Sequence, residues 1–137
     1  MLKNMLLVML GGGMGAVGRE ALMLVVPDLP GGSEAAIFVA NLTAALLIGM
    51  TVGLASKGGI IGPGGKLLIA TGMMGGLSTF SSFVWGADNM LADPGSRVRG
   101  LLFIGTSMVL GFLLVQLGLW SGQRLIARRR LAENRIQ

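Results

Sequence analysis

Between Lys66 and Asp88 the chain carries no charged residue, and the apolar run that opens at Lys66 closes only at Leu91. As one straight helix this run would measure about 39 Å at ~1.5 Å per residue, whereas the hydrocarbon core of a bilayer is about 30 Å thick. Tilt can absorb the excess. The middle of the run, Gly72-Met73-Met74-Gly75-Gly76-Leu77-Ser78-Thr79-Phe80-Ser81-Ser82-Phe83, argues instead for an interruption near the midplane. Glycine weakens a helix there, and Ser78 or Thr79 can cap the N-terminus of a second half-helix. A break leaves carbonyls unpaired on one side and N–H groups on the other. In lipid such groups persist only where protein, a water-filled cavity or an ion satisfies them, so broken spans often mark ion sites. A glycine kink that serves close packing is the competing reading.

Three more apolar runs accompany this one, giving expected spans at 5–26, 35–55, 66–91 and 101–120 and a basic tail at 121–137. With 53% hydrophobic residues and a mean hydropathy of +0.76, the 137-residue chain reads as an all-α membrane protein forming one four-helix transmembrane domain over 1–137. Lys3 precedes the first run as in a signal peptide, but no small-residue cleavage site leads into polar sequence, so the run is expected to be a retained span. Cysteine and histidine are absent, which removes disulfides, thiolate chemistry and the commonest acid–base and metal-ligating side chains. No set of carboxylates clusters for catalysis, and no enzyme is expected. Arg124, Arg128, Arg129, Arg130 and Arg135 make the tail basic. Beside a hydrophobic span this reads as an anchor at anionic lipid headgroups rather than a nucleic-acid site.

Within the first span, Gly11 and Gly15 form a small-xxx-small pair that lets helix backbones approach closely. Arg19 and Glu20 follow inside the same span, where charge is costly unless paired, snorkelling or lining water. Arg19 can snorkel to the interface or stand at the mouth of an anion pathway, and the sequence leaves both open. The strongly polar residue of the second span is Asn41. Its amide is either glue between helices or a pair of donors for an anion.

Phe80 and Phe83 lie three apart on one helical face, interleaved with the hydroxyls of Ser78, Ser81 and Ser82. Phenylalanine at helical spacing is ordinarily core. Here electropositive ring edges beside hydroxyl donors form a surface that suits a small, poorly polarisable anion. In the fourth span Gly105 and Gly111 are expected contact points. Thr106 and Ser107 there are channel candidates, although such hydroxyls commonly bond back to the preceding helical turn. Four spans place both termini on one side. The charge excess on that side rests mainly on the tail, and without it the loops are nearly balanced.

Three segments resemble the bacterial fluoride channels of the CrcB/Fluc family. Gly11-Gly12-Gly13-Met14-Gly15-Ala16-Val17-Gly18-Arg19 is similar to that family's GGxxGAxxR element, with Glu20 where an aromatic is usual. Val39-Ala40-Asn41 through Gly49 resembles VNxxGxxxxG, with Ala40 for valine and Ala44 for glycine. Gly75-Gly76-Leu77-Ser78-Thr79-Phe80-Ser81-Ser82-Phe83 resembles GGxTTFSTF, with serine at two threonine positions.

The resemblance implies an antiparallel, dual-topology homodimer in the cell inner membrane, with two pores lined by both subunits. It implies that the carbonyls of Gly75 and Ser78 from both chains hold a structural sodium ion, Na+, at the dimer axis. The fluoride path it implies runs over Asn41, Phe80, Phe83, Ser81 and Ser82, with Arg19 near a vestibule. Flow is expected to be passive. Two other classes stay in view on the residues alone: a small proton-coupled drug exporter, whose acidic candidates are Glu20 and Asp88, and a scaffold subunit that uses only the glycine faces.

Overall fold

The computed structural model describes residues 1–25, 32–56 and 59–133. Helices α1 (Leu2–Val25) and α2 (Gly32–Leu54) match the first two expected spans to within a turn. The third span is a composite. It opens as α3 (Pro63–Lys66), with proline at a first-turn position where its missing N–H costs nothing. It widens into a π-helical stretch (Leu67–Met73), returns to α-helix in α4 (Met74–Leu77), breaks at Ser78 and Thr79, and resumes as α5 (Phe80–Ala92). Helix α6 (Arg97–Glu133) follows a tight turn. Val26, the linker from Pro27 to Gly31, Lys57 and Arg135 lie outside the described residues.

The four long helical units are apolar enough to cross a membrane. Their outer faces carry Leu6, Met9, Met14, Val17, Leu24, Val109, Phe112 and Leu113 in the open, a surface stable in lipid and not in water. The chain is a multi-pass membrane protein.

Two parallel helix pairs make up the bundle, each fastened by glycine. A Cβ on Gly11 would strike the Leu68 carbonyl and stand 2.9 Å from the Gly72 Cα, and one on Gly15 would strike the Met73 carbonyl. Contacts therefore advance together along α1 and the third span. In the second pair Gly49 presses on the backbone at Val115, and Gly53 and Gly122 approach each other at Cα. The glycines of α6 that meet α2 are thus Gly118 and Gly122. At Gly105 and Gly111, where contacts were expected, a Cβ would meet nothing within 4 Å.

Ala44, which stands where the resembling segment has glycine, is buried at 1% exposure against Met74 and Leu77. Its methyl fills the seam between α2 and α4.

We expect Gly15→Ala to destabilise the bundle by about 1–3 kcal/mol, since the methyl meets backbone that cannot turn away. Gly13→Ala, open on all sides in the protomer, should be neutral or stabilising by up to ~1 kcal/mol through helix propensity. Thermal unfolding of the two variants in detergent checks the contrast.

The basic tail does not begin a separate element. Helix α6 runs 37 residues, about 55 Å at ~1.5 Å per residue, so it leaves the bilayer as a continuous rod. Arg124 lies 3.6 Å from the Trp120 ring centre, a cation–π pair suited to the membrane surface. At the opposite end, the Ser96 hydroxyl, the Gly95 N–H and then Arg99 hold the Asp93 carboxyl below its usual 3.8. That loop carboxylate stays charged well into the acid range.

Candidate functional site

The break consists of two residues, Ser78 (φ −75°, ψ 153°) and Thr79 (φ −145°, ψ 116°), both extended. It falls after the glycines, not at them. Gly72 and Gly76 remain helical because α1 presses against them at Val8 and Gly12. The packing reading of the glycines therefore holds, and so does the broken-span reading.

Asn41 on α2 clamps the break. The Thr79 N–H donates to Asn41 Oδ1 at 2.8 Å, and Asn41 Nδ2 donates to the Thr79 carbonyl at 3.3 Å. One side-chain amide so satisfies an orphan donor and an orphan acceptor, as a neighbouring strand would. Asn41 is glue, yet its amide nitrogen has a second hydrogen that this clamp leaves unused.

The hydroxyls divide between the two half-helices. Ser78 bonds back, its Oγ and N–H both donating to the Met74 carbonyl at 2.8 and 2.9 Å. Thr79 is the N-cap of α5, accepting from the Ser82 N–H at 3.2 Å. Its hydroxyl also donates to Ser82 Oγ at 3.0 Å and lies 3.3 Å from Ser81 Oγ. Ser81 and Ser82 thus join the site through Thr79, a residue that the sequence marks as a cap and not as a path residue.

The polarity of the break follows from this pairing. In an unbroken helix the Thr79 N–H would bond the Gly75 carbonyl, but here Asn41 takes it. The carbonyl end of α4 is accordingly electronegative, and a Cβ on Gly75 would meet nothing within 4 Å, so the space beside it is open. These hard oxygens fit an alkali cation better than a transition metal. Among the described residues no group of three or more carboxylates could hold a metal by side chains. On the other side, the N-terminus of α5 is electropositive and favours an anion.

Asn41, Ser78, Thr79, Phe80 and Phe83 line one cavity of about 250 Å³. The Phe80 and Phe83 rings are tilted with centres 6.4 Å apart, and Phe83 stacks on Phe103 of α6 at 5.1 Å. Phe103 in turn meets Phe38 of α2 at 6.1 Å. Phe38 and Phe103 line a second cavity of about 260 Å³ with Glu34, Arg99 and Thr106. A row of four rings therefore joins the two cavities. Sequence reasoning missed Phe38 and Phe103, although Phe38 precedes Asn41 by three residues and Phe103 precedes Thr106 by three, each on a shared helical face.

Not every expected residue converges here. Thr106 reaches the second cavity, but its hydroxyl donates to the Leu102 carbonyl at 2.6 Å. Ser107 donates to the Phe103 carbonyl at 2.5 Å and lines neither cavity, and Ser81 and Ser82, which meet the site only through Thr79, line neither as well. Arg19 pairs with Glu20 at 3.8 Å on α1, away from both. Phe80 turns its ring outward, 79% exposed in the protomer.

Residues 6–119 match the model of the family described as CrcB-like protein, Camphor Resistance (CrcB). A protein of Yersinia pseudotuberculosis serotype I (strain IP32953) named fluoride-specific ion channel FluC 3 is 44% identical over 119 residues, covering 87% of this chain and 88% of the relative. One from Hyphomonas neptunium (strain ATCC 15444), named fluoride-specific ion channel FluC, is 35% identical over 128 residues, 92% of this chain and 100% of the relative. In the Brucella abortus biovar 1 (strain 9-941) protein named fluoride-specific ion channel FluC 1, the chain spans 46% of the relative's length at 37% identity. A four-span bundle with a clamped break, matched to one family model over most of its length, places the chain in the CrcB family.

Proposed function

We propose that the protein is a passive, fluoride-selective channel of the inner (plasma) membrane that lets cytoplasmic fluoride leave down its gradient. The observation that carries this reading is the break clamped by Asn41, which brings Asn41, Ser78, Thr79, Phe80 and Phe83 around one cavity, with the Ser81 and Ser82 hydroxyls beside Thr79. Fluoride is small and strongly hydrated, so a selective path must replace water with donors at short range. Hydroxyl, amide and ring-edge hydrogens do so without a full positive charge, and an ion held by them can still leave. Asn41, Phe80, Phe83, Ser81 and Ser82 carry the path, Thr106 extends it toward the Arg99 end, and Arg19 and Ser107 contribute at most indirectly.

The working unit in this reading is an antiparallel homodimer. Phe80, exposed in the protomer, needs a cover that a second copy would supply, and the near balance of loop charges apart from the tail permits both insertions. A sodium ion between the Gly75 and Ser78 carbonyls of two copies would offset the electronegative ends of both α4 helices. Its part is structural. Proton-coupled export would require an embedded carboxylate at the path, and Glu20 instead pairs with Arg19.

Ion-selective electrode recordings of proteoliposomes test the reading. With the proton gradient collapsed and potassium permeability supplied, fluoride should leave rapidly and chloride should stay. Efflux that demands a proton gradient, or equal loss of both anions, contradicts it.

A further inference from the structure

The ring-lined second cavity adjoins a third of about 220 Å³. Glu34, Met90 and Arg99 line both, so these three side chains stand where the two cavities meet. The third cavity is also lined by Asp93 and Ser96, which belong to the turn between α5 and α6. It therefore lies at the end of the bundle, between water and the rings of Phe38 and Phe103.

Two carboxylates and one guanidinium line this mouth. Asp93 is engaged by its own turn, accepting from the Gly95 N–H at 3.3 Å. Glu34 is half-buried, with its Cγ 3.3 Å from where a Gly86 Cβ would stand, so its stem packs on α5. Arg99 is exposed, and among the described residues neither it nor Glu34 forms an ion pair within 4 Å. Arg97, the other arginine at this end, donates to the Leu91 carbonyl at 3.2 Å and lines neither cavity. The lining thus carries more negative charge than positive, which opposes the entry of an anion, and Arg99 is its one positive group.

We propose that Arg99 is the entry residue at this end of the fluoride path, offsetting Glu34 and Asp93 so that the ion can pass from water to the rings. An unrelieved pair of carboxylates would exclude an anion from a narrow opening, whereas a guanidinium on the same wall flattens that barrier. The inference rests on the fluoride-channel reading and assigns this end of the path its controlling charge.

Efflux from proteoliposomes at subsaturating fluoride tests it, at ~0.01 M ionic strength and again with ~1 M potassium gluconate, where charges a few ångströms apart are screened. At low ionic strength Arg99→Gln should slow efflux about 5-fold, the effect of one unit charge roughly 4 Å from the ion in water, and Arg99→Lys should recover most of that loss. Adding Glu34→Gln to Arg99→Gln returns the lining to the parent's charge and should restore efflux. In high salt Arg99→Gln should approach the parent. An Arg99→Gln channel as fast as the parent at low ionic strength overturns the inference and leaves the channel reading standing. So does a loss that is equal in high salt, or one that Glu34→Gln does not relieve, since either marks Arg99 as structural. A parent that carries no fluoride overturns both.

Discussion

Asn41→Leu is expected to abolish fluoride efflux and to lower the unfolding free energy by about 2–6 kcal/mol, because it orphans two backbone groups at about 1–3 kcal/mol each. The groups are the N–H and carbonyl of Thr79, which Asn41 satisfies together. Lipid offers neither a substitute. Asn41→Asp separates the clamp from the path. It keeps an acceptor for the Thr79 N–H but sets a second oxygen against the Thr79 carbonyl, so about half the stability loss is expected. Flux should still fail, since a carboxylate on the cavity wall repels the anion. Melting curves in detergent and efflux traces report the two effects. Wild-type melting of Asn41→Leu would mean that the clamp does not hold the break.

Phe80→Ile should behave in the opposite way. Within the protomer the ring touches chiefly Phe83 and is otherwise open, so stability should change by no more than about 1 kcal/mol. Efflux should fall tenfold or more, the effect of losing roughly 1.4 kcal/mol of stabilisation at the barrier. Isoleucine retains bulk and loses the electropositive ring edge. Efflux equal to the parent would remove Phe80 from the path while leaving the fold account untouched.

Much of this arrangement was legible in the residues, though for uneven reasons. Hydropathy located the four spans because lipid demands long uncharged runs. Hydropathy closes the fourth span at Trp120, and of the two readings open for the basic tail, helical continuation or fraying at the membrane surface, the first describes α6, which runs on through residues such as Leu, Ala and Arg that favour helix without favouring lipid. The break was legible from glycines followed by hydroxyls, but the glycines serve the α1 contact and the hydroxyls supply the cap. The π-helical stretch left no sign, because nothing in Leu67–Met73 distinguishes it from ordinary α-helix before α1 is packed against it.

Asn41 had two open roles in the sequence, and the pairing with Thr79, 38 residues away, accounts for the first while leaving a hydrogen for the second. Long-range pairings of this kind carry no local pattern. Ser107 and Thr106 show the reverse case, where a plain local rule, bonding back along the helix, describes both hydroxyls.

Fluoride is expected to pass over the surface opened by the break and to touch the free amide hydrogen of Asn41. The most direct measurement is the side-chain amide resonance of Asn41 in protein labelled with ¹⁵N-asparagine, assigned by its loss in Asn41→Asp. Titration with fluoride should shift that resonance, and the same concentration of chloride should not. An Asn41 resonance unmoved by fluoride, in protein that still conducts it, would mean that the ion does not pass Asn41.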